Sequence, residues 1–233
     1  MNIHHRPALF DVDGGFYTVS EAARLLGVQS GQKVIRWLLP TASGKNAVVE
    51  RDYPKIGREN EISFLDLIEI KFFEHFRKAN ISMQSLRVAA RNARDKLMVP
   101  HPFATSSVKF QSDRRRIFLE TAKETGDRDL LDLMSKQNVM YAIIEQSFAS
   151  DLSFDASGLA RLWHPAIDIA PNVIVSPAFA FGRPVISARR VPTQIIFDSW
   201  RAHAENVDDV VDWLQLDGGA VEEAIRFEQR QLH

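Results

Sequence analysis

The sequence predicts a mainly α-helical fold with small β-hairpins, in two parts: a front part over 1–165 and an end part over 166–233 made of three short helices preceded by short strands. Three observations predict it. Two brief segments of helical periodicity meet at Gly27 within 17–40. A wider apolar period runs through Leu65, Ile68, Phe72 and Phe76. Three more short periodic segments close the chain after the β-prone runs 173–175 and 184–186.

Taken in order, Ser20 opens the first helix as an N-cap, and Ala22, Ala23, Leu25 and Leu26 give it an apolar face. Gly27 supplies the positive φ that a sharp turn requires. Val34, Ile35, Trp37 and Leu38 form the apolar side of the second helix, which Pro40 ends. Ser30, Gln32, Lys33 and Arg36 lie between these positions and face outward, where they can meet phosphates and base edges. Ser43, Gly44, Lys45 and Asn46 have turn chemistry, and Ala47, Val48 and Val49 can pair as a short strand, so a small hairpin is expected beside the second helix, with Lys45 and Arg51 reaching phosphates.

Ser63 starts the next helix with a capping-box pattern. Leu67, Ile70 and Phe73 widen its apolar face, enough for a core on one side and a partner subunit on the other. Ser82 caps a helix carrying Leu86, Ala90, Ala93 and Leu97 on one face and Arg87, Arg91 and Arg94 on another, with Pro100 and Pro102 beyond its end. Residues 108–110 and 117–119 read as a hairpin around 112–114, with Arg114, Arg115 and Arg116 solvated at its turn. A short helix over 127–134 follows, then 138–148, which fits either a helix or a buried strand. Residues 152–154 and 159–162 form a second hairpin, and 163–171 is an irregular connection. Pro192 and Thr193 open a helix with Ile195, Ile196 and Trp200 on its apolar side; a helix over 207–214 and another capped by Asp217 complete a trihelical unit.

Composition narrows the class. An apolar share of 45% supports a packed core, and the absence of cysteine excludes disulfides and thiolate metal sites. No apolar run reaches the length of a membrane span, and 1–15 lacks the pattern of a secretory signal, so a soluble cytoplasmic protein is expected. Charge is asymmetric. Seven Lys or Arg against two acids give 24–58 a net of +5, whereas eight acids against Arg226 give 205–228 a net of −7. A basic front suits a polyanion and an acidic end does not. The seven histidines are scattered, and no phosphate-binding loop, dinucleotide fingerprint or nucleophile elbow occurs. These absences predict no catalytic residue, no metal, no cofactor and no enzymatic activity.

The stretch 17–40 resembles the first turn of a MerR-like winged helix-turn-helix, in Tyr17, Val19, Glu21, Ala22, Ala23, Leu26, Gly27, Val28, Val34, Arg36 and Trp37. The resemblance continues in ISFLDLIEIK and NISMQSLRVAAR, whose helices it implies buttress the winged unit. The end part, IVSPAFAFGRPVISARRVPT with AIRFE, resembles the small trihelical, homeodomain-like domain of certain VapB-type antitoxins; a usual Gly is replaced near Ala188. Together these resemblances imply an antitoxin of a type II toxin–antitoxin pair: a DNA-binding repressor of its own operon that neutralises a PIN-domain ribonuclease. Operator DNA, the toxin and a second copy of the chain are then the expected partners. Arg183, Arg189 and Arg190, the one basic cluster of the otherwise acidic final third, are the expected toxin contacts, because an arginine fork suits clustered carboxylates. The other reading is a free-standing MerR-like transcriptional regulator whose C-terminal domain binds a ligand or a different partner.

Overall fold

The computed structural model describes residues 14–53, 60–135 and 151–231. Among them the chain is mainly helical, with nine α-helices and two small antiparallel sheets. Helix α1 spans Val19–Leu25, and its N-cap is Thr18 rather than the expected Ser20. The reason is a capping box: the Thr18 hydroxyl accepts from the Glu21 amide at 3.2 Å while the Glu21 carboxylate accepts from the Thr18 amide at 2.8 Å. Ser20 has Ala23 three residues on and cannot close the same ring. Gly27 takes φ +62°, as the turn demands. Helix α2 spans Gly31–Leu38. A Cβ at Gly31 would lie 2.8 Å from Cγ1 of Val19, so glycine there lets α2 start close against α1.

Among the described residues the expected hairpin beside α2 does not form. Residues 41–50 form a loop in which Val48 and Val49 are buried and both donate their amides to the Trp37 carbonyl at 3.0 Å. A strand there would need those amides for a neighbour; the C-terminus of α2 takes them instead. Lys55 and Arg58 of the basic front lie outside the described residues.

Helices α3 (Phe64–Lys78) and α4 (Met83–Leu97) start at Ser63 and Ser82, as their caps predict. The wide face of α3 is covered by the chain itself: Phe64, Leu67, Ile68, Ile70, Phe72, Phe73 and Phe76 are all buried. Phe72 stacks on Phe103 at 4.6 Å and Phe76 on Phe118 at 4.7 Å, so this face is core and is closed to a partner subunit. Phe118 belongs to helix α5 (Ser107–Thr125), which replaces the expected hairpin at 108–119. Ile117, Phe118, Thr121 and Ala122 are buried at helical spacing, and Arg114, Arg115 and Arg116 lie within the helix instead of at a turn. Helix α6 (Arg128–Ser135) follows; the segment 138–148 lies outside the described residues.

Strands β1 (Leu152–Phe154) and β2 (Ala160–Trp163) pair antiparallel, as predicted. Strands β3 (Val173–Ile174), β4 (Val185–Ile186) and β5 (Val191–Pro192) form the second sheet in sequence order. Helices α7 (Thr193–Ala202), α8 (Val207–Leu214) and α9 (Gly218–Gln231) then pack as three. On α7 the core side is Ile196 and Phe197, and Ile195 is exposed.

Bonds from both ends of the second sheet reach the front of the chain. The Phe16 amide donates to the Phe181 carbonyl at 3.0 Å, and the Tyr17 hydroxyl to the Gly182 carbonyl at 2.8 Å. Trp163 and Val175 exchange backbone bonds, Arg230 donates to the Pro165 carbonyl, and buried Lys71 of α3 pairs with Asp151 at 3.1 Å. No helix among the described residues is long and apolar enough to cross a membrane.

Candidate nucleic-acid interface

Helix α2 divides sharply. Val34, Trp37 and Leu38 are buried, and Trp37 is held from two sides: its ring stacks on Phe73 at 5.7 Å and its indole N–H donates to Glu74 at 2.6 Å. The opposite face is thereby fixed outward, and Ser30, Gln32, Lys33 and Arg36 are all exposed on it. Ser30 occupies the N-cap position but makes no cap bond with its side chain. Among the described residues the Lys33 ammonium makes one long contact, 3.4 Å, with the neutral Gln29 amide.

Beside α2 a cleft of about 670 Å³ opens between the 41–50 loop and α4. Lys45, Arg87, Arg91 and Arg94 line it, opposed by Glu50 and Asp95. Their bonds explain the loop's position without any strand. Arg87 donates to the Asn46 carbonyl at 3.0 Å, Arg94 to the Val48 carbonyl at 3.1 Å, and Lys45 to the Gln84 side chain at 3.3 Å. Arg94 also meets Glu50 at 3.4 Å, and Arg91 pairs with Glu124 at 2.8 Å. Lys45 and Arg87 thus bond neutral acceptors and keep their charge for another partner. Arg51 is half-buried and donates to Asn60 at 3.1 Å, which turns it from the cleft to its own loop. Sequence reasoning left Arg87 and Arg91 out of the interface; the available signal was the spacing of three arginines on one face of α4.

The three C-terminal arginines do not form one cluster. Arg183 lies two residues before β4, whereas Arg189 and Arg190 lie in the turn after it. All three are exposed. The Arg190 guanidinium sits over the Phe179 ring, 4.1 Å from its centroid, and Arg190 itself has φ +57°. Arg183 instead lines a second cleft, of about 410 Å³, with Tyr17, Arg24, Thr193, Phe227 and Glu228. Burial raises the Glu228 carboxyl above its usual range, against the hydrogen bond that Thr193 donates to it.

A buried node lies where the end of the 41–52 loop meets α3. His101 Nε2 is 2.8 Å from Asp52 Oδ1, and Nδ1 is 3.5 Å from Glu69 Oε2 and 3.9 Å from Asp66 Oδ1. Asp66 and Glu69 are fully buried. Burial opposes charge on His101, but its bond with Asp52 and the nearby charge of Glu69 outweigh this and raise it to about 11; burial pushes Asp66 up to about 7. Sequence reasoning missed this node because its four residues come from three separate segments. The one local signal was the i, i+3 pair of acids, Asp66 and Glu69, inside an otherwise apolar helix.

Comparison with known proteins adds three findings. Residues 173–227 match a sequence family described as a protein of unknown function, DUF433. No curated protein matches the chain. The fold is similar to that of the crystal structure of Rv2018 from Mycobacterium tuberculosis, with a TM-score of 0.69 and 22% identity, over 94% of this chain and 99% of that one. The chain therefore shares a whole-length fold with that protein, and its final sheet and helices carry the DUF433 match.

Proposed function

We propose that this protein is a DNA-binding antitoxin that represses its own operon and neutralises a PIN-domain ribonuclease. In this reading α1 and α2 are a MerR-like helix-turn-helix, and α2 enters the major groove. The observation that carries it is the two-sided α2: a locked apolar face behind, and Ser30, Gln32, Lys33 and Arg36 exposed in front. Supporting it, the free N-cap of α2 leaves backbone amides for a phosphate, and Lys45 and Arg87 continue the positive surface beside the helix. Arg51 is better suited to bracing its loop than to contacting DNA. The 41–50 loop takes the place of a wing.

The C-terminal part is the proposed toxin contact. Its acidic helices repel phosphates, which favours a protein partner over a second DNA site. Arg183 and Arg189 are the cations best placed to bind toxin carboxylates, since Arg190 is engaged with Phe179. A second reading, a free-standing regulator with a ligand-binding C-terminal part, is supported by the 410 Å³ cleft between α1 and that part. Growth rescue separates the two. Co-expression of this chain with the nuclease encoded beside it should restore growth, and an Arg183→Ala/Arg189→Ala variant should restore it less. Failure of the intact chain to rescue any neighbouring nuclease, with DNA binding retained, leaves the regulator reading.

A further inference from the structure

The node around His101 has the donor set and spacing of a metal site, and we propose that Asp66, Glu69 and His101 bind one divalent transition-metal ion, with Asp52 orienting the imidazole. Three observations carry it. First, Asp66 Oδ1, Glu69 Oε2 and His101 Nδ1 are all buried and have no hydrogen-bond partner, although buried polar atoms are ordinarily paired. All three residues are at least nine-tenths buried, and Nδ1 lies 3.5 Å from the Glu69 oxygen and 3.9 Å from the Asp66 oxygen. Tetrahedral bonds of about 2.1 Å hold neighbouring donors about 3.4 Å apart, close to both of these separations.

Second, every other polar atom of the acids is already in use, which holds the orphaned ones in place. Asp66 Oδ2 accepts the Ser63 amide at 3.0 Å, closing the cap of α3, and Glu69 Oε1 accepts the Phe103 amide at 3.1 Å. Third, the far side of the ring has the partner that metal-bound histidines have. Nε2 lies 2.8 Å from Asp52 Oδ1, and Asp52 Oδ2 accepts the Ser63 hydroxyl at 2.6 Å. That bond keeps the Nε2 proton in place, so Nδ1 is the nitrogen that gives up its proton to ligate. One donor atom each from Asp52, Asp66 and His101 also falls within 4.8 Å of the others.

Charge is compatible with this: a dication bound to neutral imidazole balances the buried carboxylates of Asp66 and Glu69. A nitrogen with two carboxylate oxygens suits Zn²⁺ or Mn²⁺, and a three-ligand set leaves a position for water. The bound ion would clamp the end of the 41–52 loop and 101–103 to the N-terminus of α3.

The test uses the full chain, stripped with chelator and titrated with Zn²⁺ by calorimetry. One ion per chain is expected, with affinity at least tenfold weaker in Asp66→Asn and in Glu69→Gln, and roughly tenfold weaker in the orienting variant Asp52→Asn. Glu69→Gln keeps an oxygen for the Phe103 amide, and circular dichroism checks its fold. In the wild type, nitrogen NMR of His101 should show Nδ1 losing its proton as Zn²⁺ is added. No stoichiometric binding, binding equal in all variants, or an imidazole that stays doubly protonated through the titration overturns the site and leaves a proton-bridged ion pair.

Discussion

At the scale of single residues, Phe72, Phe73 and Phe76 of α3 pack in one aromatic cluster with Phe103 and Phe118. Phe72 touches the rings of Phe73, Phe76, Phe103 and Phe118. Phe72→Ala should therefore cost roughly 3–5 kcal/mol in denaturant unfolding, with no room for neighbouring helices to collapse into the gap. Glu228 is a charge the fold tolerates rather than uses. Its carboxyl is raised by burial, opposed by Thr193 and by the charge of Arg24 and reinforced by the charge of Asp198. A raised carboxyl binds its proton more tightly folded than unfolded, so its contribution to stability is full below about 4.5 and is lost as pH rises through the raised value. Glu228→Gln, which keeps an acceptor for Thr193, should raise the melting temperature at pH 7, and the gain should vanish below pH 4.5. A lower melting temperature at pH 7 would show that the ionised carboxylate is stabilising.

At the scale of elements, the loop over 41–50 is held by side chains where a hairpin would have been held by backbone. Arg94→Ala removes the bond to the Val48 carbonyl and the pair with Glu50. Hydrogen exchange at the Val48 and Val49 amides should then accelerate by about tenfold, while α3 amides stay protected; unchanged exchange would place the loop's stability elsewhere. The same scale shows what was legible in the sequence. The caps at Ser63 and Ser82, the turn at Gly27, the β1–β2 hairpin and the closing three helices follow local rules that tertiary contacts do not override. Helix α5 did not: Val108, Phe110, Ile117 and Leu119 alternate like strands, yet burial of Ile117, Phe118, Thr121 and Ala122 selects the helical period. The exposed face of α2 was readable because it is the complement of an apolar stripe. The cleft against α4 and the His101 node were not, because each is assembled from residues far apart in the chain.

At the scale of the whole molecule, front and end are joined at a point with little slack. Gly182 has φ +89°, and a Cβ there would lie 2.4 Å from the Tyr17 hydroxyl. Gly182→Ala should destabilise by at least about 2 kcal/mol, more than Tyr17→Phe, which loses one hydrogen bond worth about 1 kcal/mol. The reverse order would mean that the two parts separate easily. The proposed repressor role on paired half-sites requires a dimer, so light scattering should give twice the chain mass of 26.4 kDa. Monomer with and without DNA contradicts this. Operator binding measured against salt decides whether α2 carries the DNA contact. Lys33→Ala/Arg36→Ala should bind more weakly, with a salt slope of log K reduced in magnitude by about two per chain. Wild-type affinity and slope in that double variant would contradict it.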